Sequence, residues 1–199
     1  MKKFGQVLFG VATLFVLIGC EVEFEETYDY DKTRAEDLQA IYELIAEKGW
    51  PEPDTTESGA RYIIFKEGDA SGETVKQQDI VYFNYIGFYL DGVVFDTSIP
   101  EVADTAFTFT GDLVFEPQSY TYTETGWTLR YVAVVAQYLN GPSLSTAMME
   151  AITQSFAQMT EGDRVLIFLP SYEVTTQSRS QSNTVPLYFE VTIDRIIGS

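Results

Sequence analysis

Six short segments share one texture, and their order constrains the fold more than any other feature of this chain. RYIIFKEG (61–68), DIVYFNYIGFYL (79–90), VVFDTS (93–98) and AFTFTG (106–111) come before a helical stretch, and RVLIFLP (164–170) and LYFEVTIDRI (187–196) come after it. Aromatic and β-branched residues dominate each segment, with the alternation of strands that bury one face. The stretch between them, Ser145 to Met159, sets Met148, Ile152, Phe156 and Met159 along one helical face, with Gly162 beyond its end. Strands on both sides of a single helix predict an α+β domain whose antiparallel sheet wraps around a central helix.

A second helix is expected ahead of this domain. Thr33-x-x-Glu36 has the form of a capping box, Leu38, Ile41, Leu44 and Ile45 share one face, and Gly49 is placed to stop the helix. Trp50-Pro51-Glu52-Pro53 then breaks the pattern and begins a linker. An apolar stripe is first a burial device, so this extra N-terminal helix is expected to pack on the domain rather than recruit a partner.

The chain opens with two lysines and an apolar run that ends in Leu17-Ile18-Gly19-Cys20. That is the layout of a secretory signal, and its ending resembles the bacterial lipobox, in which Cys20 carries the lipid. The expected organisation is a signal at 1–19, an acidic tether at 20–32, the helix and linker at 33–57, and a domain at 58–199. On that reading the protein is a membrane-anchored lipoprotein, periplasmic or on the cell surface.

Cys20 is the only cysteine and histidine is absent, which excludes intrachain disulfides, Ser-His and Cys-His nucleophilic chemistry, and the usual zinc sites. No metal or other cofactor is expected. Without Lys2 and Lys3 the mature chain keeps 10 basic residues against 30 acidic ones, a formal charge of −20. Such a surface repels a phosphate backbone, so nucleic acid is excluded as a partner.

Within LDGVVFDTS (90–98), Asp91-Gly92 between apolar residues signals a tight hairpin turn in which glycine supplies φ > 0. The turn leaves the adjacent Phe95 and Asp96 without a local reason. Val81 to Ser98, with Tyr85, Gly87, Asp91-Gly92 and Phe95-Asp96, is followed by Phe107 and Phe109, Met159 to Gly162, Leu169-Pro170-Ser171, and Pro186-Leu187 to Val191. This series resembles the FKBP-type peptidyl-prolyl cis-trans isomerases over about residues 58 to 197. The resemblance implies an FKBP-like fold, no cofactor, and a proline site built from Tyr85, Phe95 and Asp96 as catalytic residues. Phe107, Ile152 and Phe189 are the implied substrate-binding residues. Proline-containing segments of exported proteins are the implied partners, and a monomer is expected.

The departures from the family pattern are equally specific. The family's pocket-floor tryptophan falls on Ile152, and its preceding Val-Ile pair on Met148-Met149. Its tyrosine after the I-P-S strand would fall near Thr175, inside a polar run. An insertion at about 112–147 contains Trp127 and Tyr131, either of which is placed to rebuild a pocket wall. Two function classes remain: an isomerase, which needs neither nucleophile nor proton shuttle, or a non-catalytic FKBP-like binding module whose altered pocket and insertion hold a protein or glycan partner. The missing indole removes about 1 to 3 kcal/mol of aromatic contact, so the surroundings of Ile152 discriminate between them.

Overall fold

The computed structural model describes residues 30–107, 115, 117–123, 126–130, 142–143, 146–173, 175–176 and 185–198. Cys20, Phe109 and Tyr131 lie outside these residues, as do the signal, most of the tether and much of the insertion; for Trp127 only the backbone is described. In chain order the elements are α1 (Tyr30–Lys48), β1 (Asp54–Thr55), β2 (Arg61–Phe65), β3 (Ile80–Tyr89), β4 (Val94–Thr97), α2 (Pro100–Ala106), β5 (Gln118–Thr123) and β6 (Gly126–Arg130). There follow β7 (Pro142–Ser143), α3 (Thr146–Phe156), β8 (Arg164–Leu169), a 3₁₀ turn at Ser171–Glu173, β9 (Thr175–Thr176) and β10 (Leu187–Ile197). No helix among the described residues is long and apolar enough to cross a membrane.

One antiparallel sheet runs β1-β2-β8-β10-β3-β5-β6, and β4 pairs with β3 beyond the end of β5. β7 and β9 form a separate two-stranded ribbon that ties the end of the insertion to the segment after the 3₁₀ turn. The architecture is α+β, an antiparallel sheet packed on a helix, with α1 added.

The sheet is covered on both sides. On one face Met148, Ile152 and Phe156 of α3, with Met159 just after it, meet Phe83 and Tyr85 of β3, Ile167 of β8 and Phe189 of β10 in a single buried cluster. Phe156 is its hub, edge-on to Phe83 at 5.6 Å and to Tyr120 at 5.5 Å. On the other face Ile41, Leu44 and Ile45 of α1 pack on Ile63, Leu166, Phe168 and Tyr188. This second layer explains why β8 does not alternate. Val165, Ile167 and Leu169 serve the α3 side while Leu166 and Phe168 serve the α1 side, so no position between them is left for a polar residue.

α1 is already helical at Tyr30, which puts Thr33 inside the helix and not at its cap. At the other end Gly49 adopts φ +66°, its N–H donates to the Ala46 carbonyl at 3.1 Å, and the Trp50 N–H donates to the Ile45 carbonyl at 3.0 Å. This paired closure needs a residue free to enter the left-handed region. The chain then turns so that Trp50 packs on Phe168 and Tyr188, and the linker's first residue becomes part of the α1-side core.

A second difference follows β4. Pro100 opens α2, a position where its fixed φ suits a helix and its missing N–H costs nothing. Ala106, expected at the head of a strand, is therefore the last residue of a helix, and Phe107 caps it by donating its N–H to the Ala103 carbonyl at 3.0 Å. The rest of AFTFTG lies outside the described residues.

Candidate proline-binding site

Along β3, odd-numbered residues face α3: Val81, Phe83 and Tyr85 are buried in its cluster, while Phe88 packs on the α1 side. The hairpin expected at Asp91-Gly92 is present, closed by a three-residue loop. The Gly92 N–H donates to the Tyr89 carbonyl and the Tyr89 N–H to the Val93 carbonyl, each at 2.9 Å, so the loop contains Leu90, Asp91 and Gly92. Only Gly92 takes positive φ, +87°, one position later than a two-residue turn would need at Asp91. Asp91 supports the turn by accepting the Val93 N–H through Oδ1 at 3.0 Å.

The return strand carries an extra residue. Val94 pairs with Phe88 and Asp96 with Gly87, which leaves Phe95 without a partner in the ladder. Neighbours on a regular strand point to opposite faces, and this bulge cancels the alternation for one step. Phe95 and Asp96 therefore both face α3: the Phe95 ring meets Phe189 edge-on at 5.5 Å, and Asp96 Oδ2 accepts the Tyr85 hydroxyl at 3.1 Å. A register irregularity thus brings an aromatic ring and a carboxylate, adjacent in sequence, to one place.

The surroundings are apolar and close-packed. The Tyr85 and Phe189 rings lie 6.2 Å apart, and Asp96, with no exposed surface, also accepts the Thr97 N–H through Oδ1 at 2.9 Å. Gly87 makes this packing possible, because a Cβ there would lie 2.7 Å from Phe95 Cζ and 3.1 Å from Phe189 Cε1. Ile152 and Met148 are buried in the same cluster as Tyr85, Phe95 and Phe189, so the position matching the family's tryptophan holds an aliphatic side chain. Phe107 follows α2 as its C-terminal cap and is half-buried.

Sequence reasoning passed over three contributors. Tyr89 stacks obliquely on Phe95 at 5.1 Å, and its place in the alternation of β3 was enough to find it. Thr97 and Ser98 grip the backbone of Tyr85: Thr97 Oγ1 donates to the Tyr85 carbonyl at 2.9 Å, and Ser98 Oγ accepts the Tyr85 N–H at 3.0 Å. The motif from Val81 to Ser98 includes both positions but gives their hydroxyls no partner, since the contact depends on register. Among the described residues no group of three or more carboxylates or other ligating side chains is arranged to hold a metal. Tyr85, Phe95 and Phe189 thus form a buried aromatic cluster that holds one hydrogen-bonded carboxylate, Asp96.

The chain is similar to FkpA from Escherichia coli. That match covers 83% of this chain and 62% of the FkpA chain, at 18% identity and a TM-score of 0.44, so this chain spans less than two thirds of that protein's length. A peptidyl-prolyl cis-trans isomerase from Pseudomonas syringae pv. tomato matches 83% of this chain and 96% of its own, at 16% identity and a TM-score of 0.43. No protein-family model and no curated protein sequence matches. At this degree of likeness the residues of the site, not the neighbours, carry the functional reading.

Proposed function

We propose that this protein is a peptidyl-prolyl cis-trans isomerase of FKBP type that acts on proline-containing segments of exported proteins. The observation that carries the reading is the bulge at Phe95, which sets Phe95 and Asp96 on one face with the Tyr85 hydroxyl donating to Asp96 at 3.1 Å. Rotation about a prolyl amide opposes a barrier of about 18 to 20 kcal/mol because it breaks conjugation, and the unaided X-Pro bond takes tens of seconds or more. In the twisted state the carbonyl and nitrogen no longer share charge, so water solvates that state less well than the planar one. A dry aromatic enclosure favours the twist, provided that the ring is held while the preceding carbonyl turns.

Tyr85, Phe95 and Phe189 supply the walls for the proline ring. Asp96 fixes the tyrosine hydroxyl and places negative potential beside the amide as it rotates. The protein works as a monomer without a cofactor, tethered through a lipid on Cys20, and α1 stands between that tether and the catalytic domain. A second reading, a non-catalytic module that holds a protein or glycan partner, draws on one specific feature: Ile152 occupies the place of the aromatic floor.

The two readings are separated by exchange spectroscopy on a short X-Pro peptide. Micromolar wild-type protein is expected to accelerate interconversion. Phe95→Ala is expected to abolish most of the acceleration, and Asp96→Ala to lower turnover more than peptide affinity. Peptide binding without acceleration by the wild type would refute the isomerase and leave the binding module.

A further inference from the structure

The edge of β3 away from β10 has a gap. β5 pairs with residues 80–83 and β4 with residues 86–88, and among the described residues no strand ladder covers that edge at Asn84 and Tyr85. Pro117 immediately precedes β5 and has no N–H with which to extend the ladder. Buried backbone groups require partners, and at this point the Ser98 backbone N–H and two side-chain hydroxyls provide them.

Tyr85 turns both of its backbone groups into the gap. Its carbonyl accepts from the Ser98 N–H at 3.0 Å and from Thr97 Oγ1 at 2.9 Å, while its N–H donates to Ser98 Oγ at 3.0 Å. Ser98 Oγ in turn donates to Asn84 Oδ1 at 3.2 Å, which fixes the direction of its proton and aims a lone pair at Tyr85. Thr97 Oγ1 also accepts the Ile99 N–H at 3.1 Å, so its proton is likewise committed to the Tyr85 carbonyl. Thr97 has no exposed surface and Ser98 almost none, so water cannot replace either hydroxyl.

We propose that Thr97 and Ser98 are positioning residues, acting through the Tyr85 backbone to hold the Tyr85 hydroxyl on Asp96. This inference rests on the isomerase reading of the same site. Their protons are committed within the protein, Thr97 to the Tyr85 carbonyl and Ser98 to Asn84 Oδ1, so they act through Tyr85 and not on the substrate directly. Their effect falls on the transition state, because the Tyr85–Asp96 pair must stay in register while the amide twists, and a displacement well under the size of an atom is enough to weaken it.

The test compares Thr97→Val, which keeps the shape and removes the hydroxyl, with Thr97→Ser, which keeps the hydroxyl, and adds Ser98→Ala. Turnover and KM are measured by exchange spectroscopy on an X-Pro peptide, folding by thermal melting, and the Tyr85–Asp96 bond by the ring-carbon resonance of labelled Tyr85. Thr97→Val and Ser98→Ala are expected to lower kcat about tenfold with KM within about twofold, and to move the Tyr85 resonance. Thr97→Ser is expected to restore both. Folded Thr97→Val and Ser98→Ala proteins with wild-type kcat would overturn the positioning role and leave the isomerase reading standing. A wild-type protein that accelerates nothing would overturn both.

Discussion

Replacing Gly87 with alanine tests the close packing of the site directly. The new Cβ would lie 2.7 and 2.9 Å from Cζ and Cε2 of Phe95 and 3.1 Å from Cε1 of Phe189. Ordinary carbon contacts are about 3.5 to 4.0 Å, so the Phe95 ring would have to retreat by roughly 1 Å. It has little room, since Phe189 stands edge-on at 5.5 Å and Tyr89 lies at 5.1 Å. Overpacking of this kind costs about 1 to 3 kcal/mol, partly offset by the ~0.4 to 1 kcal/mol that alanine gains by restricting the unfolded chain. The expected net loss is about 1 to 2 kcal/mol in urea denaturation. In a Phe95→Ala background the main clash is gone, and Gly87→Ala should there be neutral or slightly stabilising. If the two substitutions add without coupling, the rings are not packed through Gly87 and the account of the site fails.

Phe156→Ala should destabilise by about 3 to 5 kcal/mol, because it removes the ring that joins Phe83 and Tyr120 beneath the sheet; a loss below 1 kcal/mol in chemical denaturation would refute that role. Burial would raise the Asp163 carboxyl, but the N–H groups of Thr160 and Gly68, the Lys66 ammonium and the Thr160 hydroxyl together hold it below the usual range. A pKa depressed on folding adds stability above the unfolded value near 3.9 that is lost as pH falls through the folded value. Asp163→Asn should therefore cost about 1 to 3 kcal/mol at pH 7, with the gap to wild type narrowing below about pH 4; a gap constant with pH would exclude the carboxylate as its source. Cys20→Ser should eliminate fatty-acid label from the exported protein, and equal labelling of both forms would place the lipid elsewhere.

The strands and the α3 helix were legible because their apolar spacing reports burial directly, as Phe83 and Tyr85 or Ile152 and Phe156 show. α2 was hidden because PEVADTA buries only Ala103 and so has no periodic stripe; Pro100 at its start was the available signal. The turn was legible at Asp91-Gly92, while its length was not encoded locally, because a Gly in the left-handed region closes either a two- or a three-residue loop. Motif resemblance could bring Phe95 and Asp96 together only as a pair of letters. The bulge that points both the same way is a property of register with β3, which no local pattern of β4 encodes.

β10 follows the other described strands in sequence and lies between β3 and β8. In synthesis α1 precedes the sheet, yet it must wait for Leu166, Phe168 and Tyr188 to cover its stripe. Until residues 187–197 arrive, β3 and β8 each have an open edge in the middle of the future sheet. Such edges invite pairing with other chains, and their closure spans most of the sequence. Unpaired edges of this kind favour aggregation until β10 is delivered, and a chain cut short before Leu187 should leave no stable half.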